Sequence, residues 1–421
     1  MHPFFYDIIY TVMFIFYLPL FLGKSLIKKK SFAKVQERFG IIKVIEKKEG
    51  TRIWIHAVSV GEFLSIKKLI GTLKKTVPGI IIYISTVTPA AYSLANKIVD
   101  ERCSVFYFPF DWSFTVKRVL NKIHPDLIVL MESEFWPNFL YYCSKMNITI
   151  MTANGRISER AFQGYSILKT FFASRLESIK LFCMQSKADA ERLSQLGIDS
   201  SRIKIVGNMK YDVEPPTNSS AKEQLSEWLK ENQCIIAGST MKGEEELLLE
   251  LFIKLKKEYN TLKLIIAPRH LDRFNEVAHI IEGKGLTYCR RTAGQIKDTD
   301  VFLLDTIGEL ASIHALATIV IVGGSILSFG GHNIIEPAYF KKPIIIGEHM
   351  ENFSEVTAHF LQQQACIQIP YNDFYERLTL LLKDTEERGR LGNNAFNVVQ
   401  QNLGATEKVY GYVLEMLTRN S

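Results

Sequence analysis

The sequence alternates continuous apolar strands with helical segments, and it does so in two successive series. The first series contains the strand-like runs IWIHAVS, IIIYISTV, SVFYFPF, LIVLM, ITIMTANG, LFCMQS and IKIVGN. The second contains CIIAGST, LKLIIAPR, LTYCRR, VFLLDT, TIVIVGGS, KPIIIG and ACIQIP. Strands without a polar face, separated by helices, are typical of a parallel sheet covered on both sides. We therefore predict an α/β protein with two doubly wound, Rossmann-like sheets.

The segment YDVEPPTNSSAKEQ separates the two series, and its Pro215–Pro216 pair and small polar residues are typical of a linker. A chain of 421 residues is also too long for one ordinary core and suits two domains. We predict an N-terminal domain over 23–214 and a C-terminal domain over 215–421 that ends in helices. Because open parallel sheets bind ligands beyond the carboxyl ends of their strands, we expect the substrates in a cleft between the domains.

The N-terminal segment is almost wholly apolar from Pro3 to Leu22, apart from Asp7, and Lys24 and Lys28–Lys30 follow it. A cleaved signal peptide has its positive charge before the apolar run, whereas lysines after the run favour retention on the cytoplasmic side. We predict a membrane anchor over residues 1–22, a signal-anchor that either crosses the bilayer or enters one leaflet. The alternative is a buried N-terminal helix of a protein that is not attached to a membrane.

Charge and composition exclude several other classes of function. The net charge is +7, but residues 1–50 hold nine Lys/Arg against four Asp/Glu, so the excess is concentrated near the N-terminus and not in a groove for nucleic acid. The six cysteines are scattered without a C-x-x-C pair, which argues against a disulfide framework or a zinc site. The sequence also lacks H-E-x-x-H and D-x-D motifs, so we expect no catalytic metal.

Strand ends in the second series present groups suited to a nucleotide. They carry the stretches GST followed by KGEEE, APRH, DTIGEL and GGSILSFGGHNIIEP. Gly330 and Gly331 allow a close backbone approach, HNIIEP begins a helix, Glu336 could accept from a ribose, and Arg269 could bind a phosphate. Alternatively, the glycines only make tight connections and Glu336 only favours its helix start. No dinucleotide or Walker motif is present.

Strand ends in the first series carry charged groups instead: Glu62 directly after a glycine, Glu132 and Glu134 in MESEFWPN, Arg156 in NGRIS and Lys210 in GNMKYD. Such charges are costly in a cleft without partners or a function. The structural alternatives are that Glu132 pairs with Lys210, that Glu134 pairs with Arg156, and that Glu62 stabilises a helix start.

An ordered set of motifs resembles one family over essentially the whole chain: IHAVSVGEF, FPFDW, MESEFWPN, NGRIS, GNMKYD, GST with GEEE, APRH, GEL and GGHNIIEP. The chain resembles the 3-deoxy-D-manno-octulosonic acid (Kdo) transferases of lipopolysaccharide synthesis, which are GT-B glycosyltransferases. One departure is Met241, where the family usually has histidine after the Ser-Thr pair.

The resemblance implies transfer of Kdo from CMP-β-Kdo to lipid IVA, the lipid A precursor, at the cytoplasmic face of the bacterial inner membrane. It implies that Glu62 is the general base of an inverting displacement without a metal or other cofactor, and that Glu132 and Lys210 support the transition state. The implied contacts with CMP are Pro268, Arg269, Ile307, Gly308, Glu309, Asn333, Ile334, Ile335 and Glu336. The alternatives are a GT-B transferase for another sugar nucleotide, such as UDP-N-acetylglucosamine, and a membrane-anchored binding protein without catalysis.

Overall fold

The computed structural model describes residues 2–27, 34–45, 50–212, 220–293 and 298–418, with side chains of the first helix described to residue 16. Contacts within the chain divide it into two compact units. The first unit comprises Met1–Val213 together with Asn402–Ser421, and the second comprises Glu214–Gln401. The centre of the predicted linker, 213–219, lies outside the described residues.

The first unit is built on a seven-stranded sheet of parallel strands, in the order β3-β2-β1-β4-β5-β6-β7. The strands are β1 (Arg52–His56), β2 (Ile81–Thr86), β3 (Cys103–Tyr107), β4 (Leu127–Met131), β5 (Thr149–Gly155), β6 (Ile179–Met184) and β7 (Ile203–Ile205). The helices that precede or connect them are α1 (Pro3–Ile27), α2 (Val35–Arg38), α3 (Val60–Thr76), α4 (Pro89–Ala95), α5 (Ser113–Ile123), α6 (Pro137–Lys145), α7 (Glu159–Ile167), α8 (Lys169–Leu176) and α9 (Lys187–Gln195).

Strand β1 illustrates why these runs form a buried sheet. Ile53 and Ile55 belong to the core on one face of the sheet, and Trp54 belongs to the core on the other. All three side chains are fully buried, and the Trp54 indole nitrogen donates to Ser85 Oγ at 2.7 Å. A strand buried on both faces needs apolar residues at successive positions, which is the pattern seen in the sequence.

The second unit repeats this architecture, with parallel strands in the order β10-β11-β9-β8-β12-β13-β14. Its strands are β8 (Cys234–Thr240), β9 (Lys263–Pro268), β10 (Tyr288–Arg290), β11 (Val301–Leu303), β12 (Ile319–Val322), β13 (Ile344–Ile346) and β14 (Ile367–Gln368). Its helices are α10 (Ser220–Leu229), α11 (Glu244–Lys256), α12 (Phe274–Gly283), α13 (Leu310–Ile313), α14 (Ile335–Tyr339), α15 (Ser354–Gln362), α16 (Phe374–Lys383) and α17 (Thr385–Gln401). Each of the fourteen predicted strand runs contains a strand, which confirms the predicted pair of parallel-sheet α/β domains.

The final helix, α18 (Ala405–Thr418), belongs to the first unit and not to the predicted C-terminal domain, 215–421. Its residues Val409, Val413 and Met416 are buried in the core of the first unit, on the side covered by α3. The Asp212 carboxylate accepts from the backbone N–H groups of Gly404 and Thr406 and fixes the start of this helix. The second unit therefore ends at Gln401, because α18 buries its apolar face against the first sheet.

The N-terminal helix α1 also differs from the prediction. Among the residues that the structure describes, no helix is both long and apolar enough to cross a bilayer, so a membrane span over residues 1–22 is not supported. One side of α1 packs on α5 and α6 through polar as well as aromatic side chains. Its other side exposes apolar residues: Phe4, Phe5, Ile8, Ile9, Val12, Met13, Ile15 and Phe16.

Candidate active site

The first sheet changes direction between β1 and β4, which are adjacent in space although two strands separate them in sequence. Such a switch point opens a crevice beyond the carboxyl ends of the strands. Glu62 follows β1, in the first turn of α3, and Glu132 and Glu134 follow β4. The fold thus brings three carboxylates from two distant segments to the position at which doubly wound sheets bind ligands.

Glu62 is only 7% exposed and forms a capping box with Ser59 at the start of α3. Glu62 Oε1 accepts from the Ser59 hydroxyl at 2.7 Å and from the Ser59 N–H at 3.2 Å, while Oε2 accepts from the Val58 N–H at 2.9 Å. A carboxylate oxygen has two lone pairs, so Oε2 keeps one acceptor position beyond these bonds. The helix-start role is therefore real, and it leaves room for a proton-accepting role.

Burial raises the pKa of Glu62, and the neighbouring charge of Glu132 raises it further. The hydrogen bonds from Ser59 and Val58 act in the opposite direction, but the net displacement of the pKa is upward. The sequence could not decide between the helix start, which favours the anion, and desolvation, which opposes it. In this unit desolvation is the larger effect, and it makes Glu62 a stronger base than an exposed glutamate.

Glu132 and Lys210 form the expected pair, with 3.4 Å between Lys210 Nζ and Glu132 Oε1. Each side chain remains about one quarter exposed, at 23% for Glu132 and 25% for Lys210. Glu132 has a φ of 54°, a left-handed conformation that costs a non-glycine residue about 1 kcal/mol and is concentrated at functional positions. Lys210 lies in a 3₁₀ turn, Met209–Asp212, that Asn154 holds by accepting from the Met209 N–H at 2.9 Å.

Glu134, for which the sequence indicated only a strand-end charge or a structural pair with Arg156, lies close enough to Glu62 and Glu132 for their charges to act on it. Burial raises its pKa to about 7, with further contributions from the charges of Glu62 and Glu132. Its Oε2 accepts from the Trp136 indole N–H at 2.9 Å and lies 3.9 Å from His56 Nε2. Burial lowers the pKa of His56 to about 3, so the ring is neutral at pH 7 and does not compensate a charge on Glu134. The available signal was a second carboxylate two residues beyond Glu132, in the same strand-end loop.

Within the described residues, no three Asp, Glu, His or Cys side chains are grouped as ligands for a metal ion. Metal-independent chemistry remains a prediction of the sequence.

In the second unit, Pro268 ends β9 and Arg269 follows it, with the Arg269 N–H donating to the Thr240 carbonyl at 3.0 Å. This bond joins the ends of β9 and β8, the strand at the switch point of this sheet. Glu336 lies close enough for the Arg269 charge to act on it, and Asn333 Nδ2 donates to Glu336 Oε1 at 3.3 Å. Burial nevertheless raises the pKa of Glu336. Arg269, Asn333 and Glu336 thus form one polar group at the predicted nucleotide site.

The glycine-rich connection differs from the expectation of a phosphate-binding helix start. Helix α14 begins at Ile335 and has only five residues, so its dipole is weak. Gly330 and Gly331 have φ angles of 87° and 73°. A Cβ atom on Gly331 would lie 2.2 Å from Met350 Sδ, so the close approach that requires this glycine is to the protein's own chain. The structural interpretation of the glycine pair is therefore supported.

In the segment from Ile307 to Glu309, the first residue is exposed, whereas the carboxylate of the last is bonded to other side chains. Ile307 is 58% exposed at the edge of the sheet, and Gly308 has a φ of 96°. The Glu309 carboxylate accepts hydrogen bonds from Arg291 Nη2 at 3.0 Å and from the Thr306 hydroxyl. Its side chain thus holds the loop together, while the apolar surface of Ile307 and the backbone around Gly308 remain available to a ligand.

The GEEE segment also has a structural role that the sequence did not reveal. Glu244 is fully buried, and its two carboxylate oxygens accept from the N–H groups of Met241, Gly324, Ile326 and Leu327. One carboxylate therefore fixes the loops that follow β8 and β12, the two strands at the switch point. Met241 contributes its backbone N–H to this arrangement, a role that does not depend on the side chain at this position.

Comparisons with known proteins agree on the family. Residues 33–213 match the family described as 3-deoxy-D-manno-octulosonic-acid transferase (kdotransferase). The chain is 31% identical to a 3-deoxy-D-manno-octulosonic acid transferase of Haemophilus influenzae, over 98% of this chain and 99% of the relative. It is 28% identical to an enzyme of the same name from Rickettsia bellii, over 99% and 98%. A UDP-GlcNAc 2-epimerase from Neisseria meningitidis shares the fold, with a TM-score of 0.57 at 12% identity over 87% of this chain and all of the other.

Proposed function

Because the chain belongs to the family of 3-deoxy-D-manno-octulosonic acid transferases, which are glycosyltransferases, we propose that it transfers Kdo from CMP-β-Kdo to lipid IVA. The reaction is an inverting displacement with Glu62 as the general base. The observation that carries this proposal is the carboxylate cluster at the switch point of the first sheet, in which Glu62 is buried, has a raised pKa and keeps one free acceptor position.

In the proposed step, the acceptor hydroxyl oxygen attacks the anomeric carbon of Kdo from the face opposite to CMP. The bond between that carbon and the phosphate oxygen breaks, its electron pair leaves with CMP, and the hydroxyl proton passes to Glu62 Oε2. A general base is most effective when its pKa approaches the working pH, and burial moves the pKa of Glu62 in that direction. Lys210, held by Glu132, is a cation at the same sheet edge that can offset the negative charge of the donor.

The donor site is proposed in the second unit. Arg269 would bind the phosphate, Glu336 would accept from the ribose hydroxyls, and the exposed Ile307 would pack against the base. Pro268, Gly308, Asn333, Ile334 and Ile335 would shape the backbone around the nucleotide. Because Arg291 and Thr306 occupy the Glu309 carboxylate, Glu309 would act through its loop and its backbone.

Attachment to the cytoplasmic face of the inner membrane is proposed through α1. The exposed side of this helix carries apolar and aromatic residues, including Phe16 at 77% exposure, and the sequence adds Lys24 and Lys28–Lys30. An apolar helix face beside lysines suits the surface of an anionic bilayer, where lipid IVA would also reside. The helix would lie in the interface and would not need to cross the bilayer.

A donor panel tests the proposed reaction. Purified protein is incubated with lipid IVA and with either CMP-Kdo, generated from Kdo and CTP by a CMP-Kdo synthetase, or UDP-N-acetylglucosamine, and the products are weighed by mass spectrometry. The proposal predicts an increase in acceptor mass by one or more Kdo residues with CMP-Kdo alone. Transfer from the UDP-sugar only would favour the alternative GT-B transferase. CMP-Kdo binding without a product would favour the non-catalytic alternative.

A further inference from the structure

Asp7 interrupts the apolar N-terminal segment, and the proposed reaction gives it no role. In the structure, Asp7 Oδ1 accepts from Asn138 Nδ2 at 2.7 Å and from the Ser113 N–H at 3.0 Å. One turn further along α1, Thr11 Oγ1 accepts from the Trp112 indole N–H at 2.8 Å. Residues four apart share one side of a helix, so α1 has a polar docking side that is distinct from its exposed apolar side.

The groups that receive α1 belong to two motifs, FPFDW and WPN, for which the reaction also supplies no role. Asp111 is fully buried, and its carboxylate accepts from the N–H groups of Asn138 at 3.0 Å and Phe139 at 2.8 Å. Trp112 packs edge-on against Tyr10 and Phe14 of α1, with ring centroids 5.2 and 4.9 Å apart. Together, Asp111, Trp112, Ser113 and Asn138 form the binding site for α1, which we call the socket.

The socket is continuous with the carboxylate cluster. Asn138 lies in the first turn of α6, and Trp136, the residue before that helix, donates its indole N–H to Glu134. The segment from Glu132 to Asn138 therefore has its carboxylates at the candidate active site and its other end bonded to Asp7. Displacement of Asn138 would alter the position of this short segment.

We propose that Asp7 is a positioning residue, and that docking of α1 through Asp7 holds the segment 132–138 in the geometry that the transfer reaction needs. This role is separate from membrane attachment. A helix that served only to attach the protein would gain from an apolar residue at position 7, because a charged group opposes insertion into a bilayer. A helix that positions the segment 132–138 would instead lose its hydrogen bonds to Ser113 and Asn138 if residue 7 were apolar.

The decisive substitution is Asp7→Leu, with Asp7→Asn as the matched variant. The asparagine oxygen can still accept from Ser113 and Asn138, whereas leucine cannot, although the two side chains are similar in size. The proposal predicts that Asp7→Leu lowers kcat for transfer in detergent by about tenfold to a hundredfold, as expected when reacting groups are misplaced by about 1 Å. Asp7→Asn restores most of the rate, and neither variant loses vesicle binding or affinity for CMP.

Hydrogen exchange provides a readout that does not depend on the reaction, which matters because the rate measurement rests on the proposed function. In Asp7→Leu, the amides of Asn138 and Phe139 should exchange at least about tenfold faster than in the wild type, because the socket that protects them opens more often. Thr11→Val, which removes the acceptor for Trp112 and the hydroxyl that donates to the Asp7 carbonyl, should change exchange in the same direction by less. If Asp7→Leu does not fold, Thr11→Val still tests the proposal, because it should raise exchange at Asn138 and Phe139 and lower the rate by smaller amounts.

Unchanged exchange at Asn138 and Phe139 in Asp7→Leu would overturn the proposal, whatever reaction the protein catalyses. A rate within twofold of wild type with faster exchange would overturn the link between the socket and the site. Loss of vesicle binding in Asp7→Leu, with a rate in detergent equal to that of the wild type, would assign Asp7 to attachment and also overturn the proposal.

Discussion

Replacement of Glu134 by glutamine should remove a specific pH dependence of stability. Burial raises the pKa of Glu134 to about 7, compared with 4.5 for an unperturbed glutamate. The folded state therefore binds this proton more tightly than the unfolded state. The resulting stabilisation is present at low pH and is lost as pH rises from the unfolded pKa through 7.

Between pH 5 and pH 8 the wild type should lose about 2.5 kcal/mol from this group, an upper value because the side chain keeps 25% of its exposure. Glutamine preserves the acceptor for the Trp136 indole, which limits other changes. Glu134→Gln should lack this loss, so its stability relative to the wild type improves as pH rises. Asp111, whose burial raises its pKa to about 7, contributes equally to both proteins and cancels from the difference.

Urea unfolding at pH 5, 6, 7 and 8 measures the effect, followed by fluorescence because Trp54, Trp112 and Trp136 lie in the first unit and only Trp228 lies in the second. The prediction is a stability difference between the two proteins that changes by about 2 kcal/mol across this range. Parallel pH profiles would refute the reasoning, since they would mean that Glu134 does not titrate near neutrality in the folded protein.

Three further predictions concern the donor site and the chemistry. Glu336→Ala should weaken CMP binding about tenfold to a hundredfold, because each charge-assisted hydrogen bond to the ribose contributes about 1.5–3 kcal/mol. Calorimetric titration with CMP measures the effect, and an unchanged affinity would mean that Glu336 has only a structural role. Gly331→Ala should lower the unfolding temperature of the second unit, because its Cβ would lie 2.2 Å from Met350 Sδ at a φ of 73°, and an unchanged melting curve would contradict that packing. Transfer should proceed at its full rate in EDTA, and a rate restored only by a divalent cation would contradict a metal-independent displacement.

The sequence was informative about the sheets for a physical reason. Strands buried on both faces must be apolar at consecutive positions, so central strands such as β4 and β12 left continuous apolar runs in the sequence. The outer strands β7 and β14 are only partly buried and left weaker patterns. The same reasoning failed for α18, because an amphipathic helix does not indicate which of two sheets it covers. Its attachment to the first unit depends on Asp212, nearly two hundred residues earlier in the chain.

Some of the site residues could likewise be located from the sequence, whereas properties that depend on packing could not. Glu62, Glu132 and Lys210 could be located from strand ends, because the carboxyl ends of parallel strands share one edge of the sheet. Glu134 was also visible at a strand end, but its raised pKa could not be predicted, because it arises from burial beside Glu62 and Glu132, which is a property of the packed unit. Glu244 and Asp7 were obscured by distance, since their partners lie about eighty and more than one hundred residues away.

The central claim is that Glu62 takes the proton from the acceptor, and single-turnover transfer to lipid IVA by Glu62→Gln tests it most directly. Glutamine keeps the size of the side chain and an oxygen for the capping box but cannot accept the proton, so the rate should fall by about 10²–10⁴-fold while CMP affinity is retained. Ser59→Ala is the matched control, because it removes the cap at a cost of about 0.5–2 kcal/mol in stability but leaves the carboxylate, and its rate should fall by less than tenfold. A Glu62→Gln rate within tenfold of wild type would contradict the account and direct attention to Glu134.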